Sequence, residues 1–285
     1  MVEYKIHACT KYILVQLETM NSIIINAYAK VNLGLDVTGV RPNGYHDVKM
    51  IMHQINLYDT IELTKANSDI SFTLADQKTD TSLIGPNSDN LCVKAARLLF
   101  EQYNITSGLK IRLTKRIPIA AGLAGGSTDA AAVFKGINEL FELGLSTQEL
   151  MDISVKLGAD IPFCILGGTA LSEGIGEILT PLPSPNGIDI RIIKPDFGLS
   201  TKEVYTKLDS IFSDIIHPDI DAQVEALKTG DIDKLISNMG NVLEQVSIML
   251  HPQIQEIKEK MLSDGAIASM MSGSGPTVFG IWKTN

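Results

Sequence analysis

Apolar and polar side chains alternate through the first readable part of the chain. Residues 23–28 and 29–37 predict two strands, and Val48–Thr64 keeps the same period of two. Because strand side chains repeat every second residue, Lys30 and Asn32 share one face. After a stretch of loop composition, Thr73–Ser88, the period becomes helical. Leu91, Ala95, Leu98 and Leu99 predict a helix over Leu91–Tyr103, with Asp89 or Asn90 as its cap. A strand at Leu109–Thr114 leads into a glycine-rich stretch and an alanine-rich helix running to about Leu140. Ser146-Thr147-Gln148-Glu149 reads as a capping box for a helix through Leu157, which Gly158 would stop.

The later pattern is less regular. Cys164–Ser172 predicts a strand through Gly167-Gly168, Glu173–Glu177 a hairpin turn, and Pro181–Gly187 a lobe junction or long loop. A strand Ile188–Lys194, a helix near Thr201–Ser210 and helical patterns to about Asp264 follow. Met270–Gly280 is a second glycine-serine loop that enters a strand. The acidic helical region Asp209–Lys260 carries no chemistry in its pattern and is read as packing for a second lobe.

Bulk properties narrow the class. With 285 residues, 45% of them hydrophobic and 20% charged, the chain is a globular protein with room for two lobes. A formal net charge of −9 argues against a broad nucleic-acid or membrane-surface binder, so an anionic ligand would need local groups to hold it. Cys9, Cys92 and Cys164 are far apart and odd in number, which favours a reducing cytoplasm over a disulfide framework. No apolar run approaches the length of a membrane span. Residues 1–19 are either an extension ahead of the first convincing strand or hold a strand of their own at Tyr12–Leu17.

The chemistry centres on Ile117–Asp129. Gly122, Gly125 and Gly126, set among alanines, leave so little bulk that backbone N–H groups can close on a ligand. Ser127 or Thr128 stands where a helix cap is expected, and a helix N-terminus is an anion site. A tight turn packing a helix on a sheet accounts for the same residues equally well. The spacing matches neither a P-loop nor a dinucleotide fingerprint. Lys115 and Arg116 supply local positive charge just before the loop. Lys30 with Asn32 suits an anionic or hydroxylated ligand, or is a solvated strand face. Tyr45 and His46, after the Arg41-Pro42-Asn43-Gly44 turn, either stack on and hydrogen-bond a flat heterocycle or anchor a hairpin. Asp160, in Gly158–Phe163, is a general base or a turn residue.

Three stretches in order carry a family resemblance: Ala29–Leu33, Pro118–Ala131, and Ser272–Pro276. Together they resemble the GHMP small-molecule kinases, over nearly the whole chain from about Ile23 to Trp282. The resemblance implies an α+β fold of two lobes, each a mainly antiparallel sheet packed with helices, with the active site in the cleft between them. It divides the chain into a nucleotide-binding lobe at 20–165 and a substrate-binding lobe at 166–285. It also implies ATP as co-substrate and Mg²⁺, without identifying metal ligands among these residues. Arg41–His46, Gly158–Phe163 and Gly174–Glu177 resemble the branch of the family whose acceptor is a cytidine diphosphate-linked polyol, phosphorylated on its 2-hydroxyl.

By that resemblance Lys30 and Asp160 are the catalytic pair, Tyr45 and His46 hold the cytosine with Tyr205 packing on it, and Asn32 contacts the polyol. Asn90, Leu91 and Lys115 would border the adenine. Pro118, Ala120, Ala121, Gly122, Leu123, Ala124, Gly125, Gly126, Ser127 and Thr128 would complete the nucleotide site. Two positions depart from the pattern. Cys164 stands where a second phenylalanine is common, with little effect expected from a small apolar residue. Ala120 and Ala121 replace frequent glycines, which limits how closely that backbone approaches phosphate. The oligomeric state, monomer or weak homodimer, has no signal in the sequence.

Overall fold

The computed structural model describes residues 21–75 and 89–284. The expected extension 1–19, its alternative strand Tyr12–Leu17, and most of the loop over Thr73–Ser88 lie outside them. In chain order the elements are β1 (Ser22–Val40), β2 (His46–Ala66), β3 (Ile70–Leu74), α1 (Leu91–Gln102), β4 (Gly108–Thr114), α2 (Gly125–Leu140), α3 (Thr147–Ser154), α4 (Ile161–Leu166), β5 (Thr169–Glu173) and β6 (Ile178–Leu182). Then follow β7 (Ile188–Ile193), α5 (Thr201–Ile211), α6 (Ile220–Thr229), α7 (Ile232–Ser237), α8 (Val242–Leu250), α9 (Gln253–Ser263), β8 (Ala268–Met271) and β9 (Val278–Lys283).

The first sheet runs β3-β4-β2-β5-β6, with β1 also paired to β2; the second runs β7-β9-β8. All pairings are antiparallel except β3 with β4. This is the α+β fold that the resemblance implies. β5 pairs with β2 and β6 with β5, so the first sheet continues past residue 166.

Several elements differ from the sequence reading. The two strands expected at 23–28 and 29–37 are one strand, β1, whose register against β2 slips between Tyr28 and Lys30 and again between Asn32 and Gly34. Irregularities of this kind bend a strand without ending it. The run Cys164–Ser172 is not one strand: α4 continues to Leu166, and Gly167 and Gly168, at φ of 74° and 67°, turn the chain into β5. A short apolar run has the same pattern as a strand or a buried helix, and Pro162 in the first helical turn tips it to helix. The capping box at Ser146 and Glu149 forms, but α3 ends at Ser154. Pro181 lies within β6 at the sheet edge, where a missing N–H costs no ladder bond.

What positions the site is α2. Its alanines Ala130–Ala132 are buried with Val133, Phe134, Ile137 and Leu140, and small side chains let it approach the sheet closely. A Cβ at Gly136 would lie 2.5 Å from Leu63 Cδ1. Burial of each large apolar side chain contributes ~1.5–3 kcal/mol, which fixes the helix and therefore its N-terminus.

Candidate active site

The glycine loop joins β4 to α2, and its end differs from the expected cap. The helix begins at Gly125, two residues before Ser127, and its cap position is Ala124 in a left-handed conformation with no side-chain capping bond. Thr128 N–H is the first to find an intrahelical acceptor, the Ala124 carbonyl at 2.9 Å. The amides of Gly125, Gly126 and Ser127 therefore remain as donors at the positive end of the helix dipole. They border a cavity of about 320 Å³ that is also lined by Asn90, Leu91, Lys115, Pro118 and Ala120 through Ala124. Of the nucleotide residues expected from sequence, Thr128 does not line it; its hydroxyl donates to the Tyr28 carbonyl at 2.7 Å and fastens α2 to β1. The Asn90 side chain caps α1 by accepting from Cys92 N–H at 2.8 Å. Ala120 and Ala124 hold φ of 51° and 56°, a conformation that costs an L-residue ~1–2 kcal/mol and that glycine would take freely.

Lys115 corrects a second expectation. Its ammonium is buried and paired with Asp59 and with Asp129, the latter at 2.8 Å. Asp59 also accepts from the backbone N–H groups of Arg116 and Ile117. Arg116 turns away to donate to Thr60 Oγ1 at 2.8 Å, with its guanidinium 5.5 Å from the Tyr58 ring centre. The positive character of the loop thus comes from the helix N-terminus rather than from a spare Lys-Arg pair. Burial pulls the Lys115 ammonium down, but Asp129 and Asp59 together carry it above its ordinary value. Asp129 is pushed up to about 8, by burial first and by the Asp59 carboxylate, against the pull of Lys115. One of its oxygens, Oδ1, is buried without a hydrogen-bond partner. Asp59 carries no sequence signal and Asp129 only its place at the end of the glycine-rich stretch; β2 and α2 bring them together.

A second cavity of about 310 Å³ adjoins the first through Ala120, Gly122 and Ala124, and it gathers Lys30, Asn32, Asp160 and Tyr205. Lys30 and Asn32 do share a face: the buried ammonium donates to Asn32 Oδ1 at 2.7 Å and to the Gly122 carbonyl at 3.3 Å. Asp160 occupies the cap position of α4, where its carboxylate makes no capping bond. Its charge is felt nearby. The Tyr205 hydroxyl is pushed up to about 12 by burial and then by Asp160, and the Cys164 thiol likewise, with Lys30 and Lys135 opposing. The second glycine loop closes the cavity with Gly273, Ser274 and Gly275, where Ser274 Oγ lies 2.9 Å from Thr201 Oγ1.

A third cavity, about 450 Å³, opens outward and shares Val48, Ile175, Thr201 and Tyr205 with the second. Tyr45 and His46 line it, Tyr45 being 58% exposed. The His46 ring lies 4.6 Å from that of Tyr205, tilted by 46°, and His46 Nε2 is 2.7 Å from Asp209 Oδ1. Asp209, assigned to packing from sequence, is therefore part of the cavity wall.

Unpaired amides at a helix N-terminus, a buried lysine and a carboxylate thus lie along a line of joined cavities. The chain belongs to the GHMP kinases, ATP-dependent phosphotransferases that act on an alcohol group: the model for the GHMP kinases N terminal domain matches residues 90–168 and that for the GHMP kinases C terminal matches 223–285. It is 50% identical over 265 residues to the 4-diphosphocytidyl-2-C-methyl-D-erythritol kinase of Lachnospira eligens, covering 92% of this chain and 90% of that one. The enzyme of the same name from Acetivibrio thermocellus is also 50% identical, over 93% and 91% of the two chains. Among solved structures, a 4-(cytidine 5'-diphospho)-2C-methyl-D-erythritol kinase superposes with a TM-score of 0.76 at 32% identity, over 92% and 91%. A homoserine kinase from Cytophaga hutchinsonii shares the fold, with a TM-score of 0.74 at 21% identity over 93% and 86%.

Proposed function

We propose that this kinase transfers the γ-phosphoryl group of ATP to the 2-hydroxyl of 4-diphosphocytidyl-2-C-methyl-D-erythritol, a step of non-mevalonate isoprenoid synthesis. The observation that carries the reading is the row of three joined cavities: phosphate-binding amides, then Lys30 and Asp160, then the rings of Tyr45, His46 and Tyr205. In this reading, that row accommodates a nucleotide, a polyol and a flat base in sequence. The names of relatives at 50% identity support the acceptor. The buried, unpaired cysteines Cys92 and Cys164 suit a reducing cytoplasm.

Phosphoryl transfer spreads charge over the equatorial oxygens of a loose transition state, so positioning and electrostatics do most of the work. The amides of Gly125, Gly126 and Ser127 hold the phosphates. The acceptor oxygen bonds to the γ-phosphorus as the bond to the β–γ bridging oxygen breaks and ADP leaves. A tertiary alcohol is barely acidic, so its proton passes to Asp160, which lies in the cavity with no capping duty. Lys30, held by Asn32 and the Gly122 carbonyl, balances the charge developing on the acceptor. Asn32 itself meets the polyol, and Tyr45, His46 and Tyr205 hold the cytosine.

Among the described residues no group of three or more acidic, histidine or cysteine side chains is placed to hold a metal. The loop offers backbone amides and the Ser127 hydroxyl. That donor set fits Mg²⁺ arriving on the triphosphate, with phosphate oxygens and water as most of its ligands. When bound, the ion would neutralise the β- and γ-phosphate oxygens.

The test is ADP release with Mg-ATP on four acceptors: 4-diphosphocytidyl-2-C-methyl-D-erythritol, the same polyol phosphate without cytidine, homoserine and mevalonate. Turnover of the cytidylated compound alone is expected. Turnover of homoserine or mevalonate instead would leave the nucleotide site standing and overturn the acceptor.

A further inference from the structure

The outer cavity holds a contact that the reading above does not use. Tyr205 and Asp209 are four residues apart on α5, so their side chains fall on one face of the helix. Both meet His46, which lies at the start of β2: Tyr205 against the ring, Asp209 against Nε2 at 2.7 Å. A carboxylate only accepts, so the atom facing it must be the ring N–H. In the neutral imidazole this leaves Nδ1 as a bare acceptor. Position 4 is where the pyrimidine bases differ: cytosine carries an amino donor there and uracil a carbonyl acceptor. An acceptor at Nδ1 matches the first and opposes the second.

We propose that Asp209 is a specificity-positioning residue, which by holding His46 as the Nε2–H tautomer makes the outer cavity select a 4-amino pyrimidine over a 4-oxo one. This rests on the cytidine reading of the acceptor. The discrimination arises from a mismatch as much as from a contact: uracil would set its carbonyl oxygen against the Nδ1 lone pair, leaving two acceptors unpaired. Asp209 is half-exposed and lines the outer cavity, not the one that holds Lys30 and Asp160, so its effect falls on binding of the base and not on the transfer step.

Two measurements test this. In the free protein at pH 8, long-range ¹H–¹⁵N spectra should show His46 as the Nε2–H tautomer, and Asp209→Asn, whose amide can donate to Nε2, should raise the Nδ1–H form. Kinetics with cytidine- and uridine-diphosphate-linked methylerythritol then read the consequence. Asp209→Ala should raise KM for the cytidine compound about tenfold, keep kcat within about twofold, and shrink the cytidine preference in kcat/KM about tenfold. Asp209→Glu should restore part of that preference. A wild-type His46 in the Nδ1–H or doubly protonated form overturns the proposal whatever the substrate, as does an Asp209→Ala enzyme with unchanged preference. Lower kcat and melting temperature with preference intact would make Asp209 a structural residue and also overturn it. If the wild type turned over neither pyrimidine compound, the acceptor reading would fall, and the proposed base selection with it; a correct His46 tautomer in the spectra would then mark the acceptor as the point of failure.

Discussion

Ser272 donates its hydroxyl to the carbonyl of Gly122, 150 residues earlier in the chain, at 3.0 Å. The same carbonyl accepts from Lys30 Nζ. Gly122 is thus the point where the two glycine loops and β1 touch. Its φ is +73°, and a Cβ there would lie 2.2 Å from the Ser272 carbonyl oxygen. Gly122→Ala is expected to displace the second loop, destabilise the protein by about 1–3 kcal/mol and lower kcat, because the carbonyl that Lys30 and Ser272 share is shifted. Thermal melting beside ADP release checks this; a variant with native Tm and turnover would show that the loops can separate freely.

Asp160→Asn keeps shape, and the carboxylate it replaces caps nothing. The expected outcome is a native melting temperature with kcat lowered by roughly 10²–10⁴, the range of a lost general base. Near-native turnover would remove Asp160 from proton transfer.

Asp129 gives a pH signature. Its folded-state pKa, about 8, lies above the ordinary carboxylate value, so the folded protein binds more protons than the unfolded chain between about pH 4 and 8. Stability contributed by this group is present in acid and lost as pH rises through 8. Asp129→Asn should therefore flatten the fall in Tm between about pH 6 and 8, and an unchanged slope over that window would refute the shift.

His53 acts in the opposite sense. Burial lowers its ring to about 4, and Nδ1 lies 2.7 Å from Thr169 Oγ1. The unfolded chain takes up the proton first, so stability is intact above the ordinary histidine value and falls as pH drops from about 6.5 to 4. A shift of that size corresponds to at most about 3 kcal/mol. His53→Gln should weaken acid destabilisation measured by urea melts at pH 7 and pH 4.5; an equal loss in both proteins would contradict it.

What could be read without the fold was local chemistry. Spacing alone put Lys30 beside Asn32, either Asp89 or Asn90 at the head of α1 and the capping box at Ser146, because periods of 2 and 3.6 and short-range hydrogen bonds are written in neighbouring residues; the structure chose Asn90. The glycine-rich stretch was legible as a loop entering a helix, though not that the helix starts at Gly125 with no side-chain cap. What tertiary structure alone decided are relations between distant segments. Asp59, Lys115 and Asp129 come from β2, the end of β4 and α2, and only their burial together turns Lys115 from a spare cation into a neutralised one. Asp209 belonged to a polar helix until α5 met His46. Short apolar runs such as Ile161–Leu166 were undecidable for the same reason: their period fits helix and strand alike, and packing against the rest of the chain makes the choice.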